Sequence, residues 1–159
     1  MQGQGREPVI RRHRIAGADP RQVYDVVVDF AAYPRLFSEL KQTRVLSVQG
    51  QVARVEFRAQ VVVAVRYVLD VTCHPDVPSV DWTFVEGEIV TDSVGGWRFT
   101  ADGDGTMVEY RASLDVRAPL PGFVLRKVTD GLVSASIPSM FSAIEREVRK
   151  RQASQPLQT

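Results

Sequence analysis

The stretch MVEYRASLDVRAPLPGFVLRKVTDGLVSASIPSMFSAIEREVRKR, residues 107–151, carries the main architectural signal of this chain. In its first ten residues Val108, Tyr110, Ala112 and Leu114 share one parity, while Glu109, Arg111 and Asp115 hold the other, the period of a half-buried strand. Pro119-Leu120-Pro121-Gly122 then ends the extended run. Beyond it, apolar residues at Val124, Val128, Leu132, Ala135, Phe141, Ile144 and Val148 predict a long helix from about Phe123 to Arg151. Pro138 lies inside that span and lacks the amide that would bond to Ser134, so a kink or a break into two helices is expected there.

Upstream, the same alternation continues from Lys41 without any sustained helical period. It divides into strands near Thr43–Val48, Val52–Ala59, Val63–His74, Ser79–Val85, Val94–Ala101 and Met107–Val116. Of the turns between them, Asp102-Gly103-Asp104-Gly105 is the strongest hairpin signal. Val55, Phe57 and Ala59 alternate with Arg54, Glu56 and Arg58, which predicts one dry sheet face and one wet one. Further back, Val9 to Ile15 reads as a first strand. Asp19, Pro20 and Gln22 then form a capping-box signature, followed by an apolar stripe at Val23, Val26, Val27 and Phe30. Pro34 predicts a break at Tyr33 and a second short helix or turn through Phe37.

The order that results is one strand, two short helices, six strands and a terminal helix. It specifies an α+β domain: a seven-stranded curved antiparallel sheet wrapped around a long C-terminal helix, with two short helices between strands 1 and 2. A single domain is expected over residues 9–151, between a flexible N-terminus, 1–8, and a flexible tail, 152–159. Hydrophobic residues make up 44% of the 159, enough for one core and against disorder. Twenty Lys and Arg against 19 Asp and Glu leave a formal charge of +1, so no DNA partner is expected. An RNA or ribosome partner is open but not favoured on the same ground. One cysteine and two distant histidines predict no metal site and no internal disulfide. No apolar run is long enough to span a bilayer, and no apolar stretch follows Arg11-Arg12 as an export signal would require, so a cytoplasmic setting is expected.

Several motifs stand in a characteristic order. They are Val26-Val27-Val28-Asp29-Phe30 with Tyr33-Pro34, Trp82-Thr83-Phe84-Val85-Glu86-Gly87, Gly95-Gly96-Trp97-Arg98-Phe99, and Val108-Glu109-Tyr110 leading to the proline-rich approach of the last helix. In these the chain resembles the START-like (helix-grip, SRPBCC) superfamily, nearest its coenzyme Q-binding and polyketide cyclase/dehydrase branch, over about Val9 to Arg151. It departs from the coenzyme Q-binding pattern at Leu36-Phe37-Ser38-Glu39, where those relatives tend to carry a Pro-Trp-Cys-like step. The resemblance implies a cavity between sheet and last helix that holds a small lipophilic molecule, such as an isoprenoid quinone, a lipid or a polyketide-like aromatic, with the protein acting as carrier or chaperone. It also implies two alternatives, a polyketide cyclase/dehydrase enzyme and a ribosome-associating toxin-like protein. No cofactor is expected.

The residues themselves give this cavity candidate walls. Phe57, Tyr67, Leu69, Trp82 and Phe84 lie on the middle strands, and Trp97, Phe99 and Tyr110 on the last two. Their aromatic bodies either line a pocket or pack an ordinary core. On the helix side, Phe123 stands at an expected opening, and Gly131, Ser134, Ala135 and Ser136 are small where a filled core would carry Leu or Phe. Small residues also permit close approach of helix to sheet, and both readings stand at this point. For chemistry, Glu86 shares parity with Trp82 and Phe84, so it either points to the dry side as a proton donor or sits on the rim. Tyr67 and Tyr110 are the other polar candidates for catalysis.

Overall fold

The computed structural model describes residues 8–155. Strand β1 (Val9–Ala16) ends at Gly17, whose φ of 72° turns the chain toward helix α1 (Pro20–Val27). The predicted capping box is present: Asp19 Oδ1 accepts from the Gln22 amide at 2.9 Å, and Gln22 Oε1 accepts from the Asp19 amide at 3.0 Å. The break that follows comes earlier than Pro34 suggested. A 3-10 turn covers Phe30–Ala32, and α2 (Tyr33–Leu36) begins at Tyr33 itself. Pro34 occupies the first turn of α2, where an amide has no intrahelical partner to lose.

Six further strands follow: β2 (Leu40–Gln49), β3 (Val52–Gln60), β4 (Ala64–His74), β5 (Ser79–Gly87), β6 (Val90–Asp102) and β7 (Gly105–Val116). They form one antiparallel sheet in the order β1-β7-β6-β5-β4-β3-β2. Alternation located all six, but β6 starts four residues before the expected Val94, because Val90 to Ser93 pair with the far end of β7. Polar residues there read as a loop, and the neighbouring strand overrode that preference.

The C-terminal segment is split. Helix α3 (Gly122–Leu132) and helix α4 (Ile137–Ser154) are separated by the turn at Val133–Ser136. Pro138 sits in the first turn of α4, so this proline starts a helix rather than kinking one. Residues Gln152 to Ser154, assigned above to the tail, continue α4; Gln152 Nε2 donates to the Gly17 carbonyl at 2.8 Å and ties this end down. The other residues assigned to the two flexible ends, 1–7 and 156–159, lie outside the described residues. Among the described residues, no helix is long and apolar enough to cross a membrane.

One sheet face packs against helices. Val55, Val71 and Val108 from the strands join Val23, Val26 and Val27 of α1 and Phe141, Ile144 and Val148 of α4 in one core. This is the helix-grip arrangement that the sequence resemblance implies. On the opposite face one residue departs from expectation: Glu56 is only 2% exposed. The side chains of Arg44, Arg58 and Arg66 converge on it, and Arg66 Nε donates at 2.6 Å. That hydrogen bond, aided by the other two cations, holds the Glu56 carboxyl below its ordinary range against the cost of burial.

Gly95 shows how sequence sets the inner face. Trp82 pairs with it across β5 and β6, and the indole lies over the place a side chain would occupy. A Cβ at Gly95 would overlap both the Trp82 ring and the Arg111 carbonyl. We expect Gly95→Ala to lose about 2–3 kcal/mol in urea unfolding, with a changed Trp emission spectrum, since backbone on one side leaves the ring as the part that must move.

Candidate functional site

Between the inner sheet face and the C-terminal helices lies a cavity of about 250 Å³. Phe57, Tyr67, Leu69, Val71, Val80, Trp82, Trp97 and Tyr110 form its sheet wall. Gly131, Leu132, Ser136, Ser139, Met140 and Arg146 form the helix wall, and Phe30, Tyr33 and Leu36 to Leu40 close the remaining side. The two readings of the small helical residues resolve into a division of labour. Gly131 lines the void and also admits the β3–β4 loop, since a Cβ there would strike a Val61 methyl. Ser134 and Ala135 are exposed and Ala135 is outside the lining, because the turn at Val133–Ser136 rotates them away from the sheet.

Of the predicted wall residues, Phe57, Tyr67, Leu69, Trp82, Trp97, Tyr110 and Gly131 meet in the cavity. Tyr110 packs against Trp97 with ring centroids 4.6 Å apart and against Trp82 at 5.9 Å, while Phe57 stacks on Tyr67 at 5.2 Å. Phe99, Phe84 and Phe123 are placed elsewhere. Phe99 belongs to the core, stacked on Trp97 and edge-on to Tyr24. Phe84 is half-buried beside that core, and Phe123 is 57% exposed on α3.

Glu86 does not reach the cavity. β4 and β5 slip register between Val68–Glu86 and Leu69–Phe84, so the bulge at Val85 reverses the parity that links Glu86 to Trp82. Its carboxylate is exposed on the outer face and accepts from Arg66 Nη1 at 3.1 Å. Tyr67 and Tyr110 are brought together in the cavity, where burial raises both phenol pKa values well above the ordinary 10. They are therefore neutral hydrogen-bond donors. Tyr33 donates to the Val27 carbonyl, and Trp82 Nε1 donates to Ser93 Oγ at 3.1 Å, so those two donors are already engaged. The thiol of Cys73 is pushed up by burial. Among the described residues, no three His, Cys, Asp or Glu side chains are grouped to hold a metal ion.

Leu36 to Glu39 stand in the sequence reading as a departure from the coenzyme Q-binding pattern and not as lining residues, although Phe30, Tyr33, Leu36 and Phe37 repeat at near-helical spacing. An ion-pair chain fixes their position. Arg35 of α2 donates to both carboxylate oxygens of Glu147 on α4, at 2.9 and 3.1 Å. Arg151 also donates to Glu147, at 2.9 Å, and reaches Asp29 at 2.7 Å.

A family profile described as polyketide cyclase/dehydrase and lipid transport matches residues 8–149. The chain belongs to that family. Its fold matches solved structures from several bacteria. One is TTHA0849 from Thermus thermophilus, with TM-score 0.79 and 22% identity over 93% of this chain and 99% of that one. Another is the ZhuI aromatase/cyclase from Streptomyces sp. R1128, with TM-score 0.79 and 18% identity over 92% and 97%. A third is a STAR-related lipid transfer protein fragment from Xanthomonas axonopodis, with TM-score 0.67 and 14% identity over 89% and 85%. At these identities the likeness is one of fold. No curated protein matches the sequence.

Glu147 links this family fold to pH. The Arg35 hydrogen bonds, reinforced by Arg151, outweigh burial and bring its carboxyl from the ordinary 4.5 down to about 2. A folded-state value below the unfolded one means that the stabilisation is complete above pH 4.5 and is lost as pH falls toward about 2. Glu147→Gln is expected to cost about 1–2 kcal/mol at pH 7, at the low end for charged hydrogen bonds because Arg35 is half-exposed. Chemical unfolding measured from pH 7 down to pH 2.5 should show the gap between wild type and variant closing in that acid window.

Proposed function

We propose that the cavity binds a small lipophilic molecule and that the protein acts as its carrier or chaperone. The observation that carries this reading is an aromatic-walled void in the place where a filled core would otherwise be. A ligand there gains roughly 25 cal/mol for each Å² of apolar surface withdrawn from water. Stacked and tilted rings at 4.6 to 5.9 Å favour a flat, conjugated body, so a polyketide-like aromatic or a quinone suits the walls better than a saturated chain. The family description and the two named neighbours, an aromatase/cyclase and a lipid transfer protein, are consistent with binding of this kind.

A cyclase/dehydrase reading is supported by one feature, the pair of neutral phenols at Tyr67 and Tyr110. Such donors polarise a carbonyl but do not withdraw a proton. Among the described lining residues, the charged groups are Glu39 and Arg146. Catalysis by proton abstraction would therefore depend on Glu39.

The carrier reading is tested by native mass spectrometry of purified protein and by titration with a panel of quinones, lipids and polycyclic phenols, read by Trp82 and Trp97 emission. A retained or added lipophile at one-to-one stoichiometry is expected. Leu69→Trp, which places an indole in the void, should weaken binding about tenfold or more while the protein stays folded. Equal binding by that variant would place the ligand elsewhere.

A further inference from the structure

Burial of an apolar body leaves two features of the cavity unused. Tyr110 is 7% exposed and lines the void, yet its hydroxyl has no hydrogen-bond partner among the described residues. The Tyr67 hydroxyl is in the same state. Among the described residues, no sealed side-chain nitrogen or oxygen lacks a partner, so these two hydroxyls keep contact with the void instead of being closed off by protein. Two donors without acceptors in an apolar enclosure are costly unless an incoming group supplies the acceptor.

The second feature is on the rim. α4 carries three arginines, of which Arg149 pairs with Glu145, and Arg151 with Glu147 and Asp29. Arg146 is exposed, lines the cavity and joins no ion pair among the described residues, although Glu145 and Glu147 flank it in sequence. Glu39 stands on the rim from the α2–β2 connection, so charge at the opening is of mixed sign and separated between two elements.

We infer that the ligand is a polarised amphiphile: a flat conjugated body, an acceptor oxygen of ketone or quinone type held by Tyr67 and Tyr110, and an anionic group beside Arg146. This rests on the carrier reading. Tyr110 and Tyr67 donate to the buried oxygen, and the guanidinium pairs with the anion where solvent still reaches it. Lipophiles that lack either end bind less tightly, and the two ends together fix the direction in which a ligand lies.

The test uses the full chain and four probes read by tryptophan emission: naphthalene, acetylnaphthalene, naphthoate and naphthyl phosphate. Wild type is expected to bind acetylnaphthalene about fivefold to tenfold tighter than naphthalene, and Tyr110→Phe, which keeps the ring, should erase that ratio. Naphthoate is expected to gain about threefold to fivefold over acetylnaphthalene at low salt, a gain that Arg146→Gln and added salt should both remove. A larger gain for naphthyl phosphate identifies the anion as a phosphate, and a larger one for naphthoate as a carboxylate. If acetylnaphthalene and naphthoate bind no better than naphthalene, or the two variants leave the ratios unchanged, the polarised ligand is overturned while the cavity reading survives. If no probe binds, the cavity reading itself fails, and this inference with it.

Discussion

The C-terminal helical segment is held at its two ends and is short of bulk in its middle. α3 packs against β7, and α4 packs against β1, α1 and α2. Between them, Gly131 has no side chain and Ser134 and Ala135 of the turn are exposed, so of the turn Val133 alone is buried in the core. Packed interiors tolerate few voids larger than a water molecule, so a space of about 250 Å³ persists only because the surrounding elements are fixed elsewhere. The anchors are Val128 on one side of the turn and Ile137, Phe141, Ile144 and Val148 on the other, all buried.

Charge is used as a clamp around this void. Two carboxylates are nearly inaccessible, Glu56 on the outer face and Glu147 on α4, and each is met by more than one arginine. A lone buried carboxylate would protonate or pull the fold open; cations supplied by different elements make it a cross-link instead. Glu56 gathers β2, β3 and β4, while Glu147 gathers α2 and α4. The second cluster stands next to the cavity wall, so α2 is held by a group of ions as well as by the packing of Tyr33 against Phe30, Phe37 and Phe57.

Much of this architecture could be read from the sequence, and the exceptions have definite causes. Alternation located β3 to β7 because each has one dry face, the largely exposed edge strands β1 and β2 were read as extended segments, and the capping box at Asp19 located α1 because its hydrogen bonds are local. Parity put Phe57, Tyr67, Leu69, Trp82, Trp97 and Tyr110 on the dry side of their strands, which is reliable as long as pairing stays in register, while the cavity that they line was implied by the family resemblance. At Val85 the register slips, so of the two readings of Glu86 the dry-side one, which rests on parity, fails and the exposed one holds. Nothing in the residues around Val85 marks that bulge, since it is set by the meeting of two strands. Pro34 and Pro138 misled or left a choice for a related reason: a proline prohibits one amide bond, and whether it ends a helix or opens one depends on where the neighbouring elements let the helix begin. Phe84, Phe99 and Phe123 show the limit of composition, because an aromatic side chain does not say whether its other side meets a ring, a void or water.

The distribution of polar atoms inside the cavity separates holding a molecule from transforming it. Catalysis of a cyclisation or dehydration requires a group that takes a proton at near-neutral pH, placed within reach of the carbon that loses it. Tyr67 and Tyr110 are held neutral by burial, and the engaged hydroxyl of Tyr33 and the indole of Trp82 give donors to the protein itself. What remains for a ligand is a pair of donors deep inside and a cation at the surface. That arrangement stabilises an oxygen already rich in electron density, whether in a resting ligand or in an enolate formed along a reaction. On the proposed reading, such a site would favour one tautomer of a conjugated ketone over another by binding it, and so would steer a molecule that cyclises spontaneously without supplying the base. Carrier and cyclase then differ less in the shape of the void than in whether the guest it orients is reactive on its own.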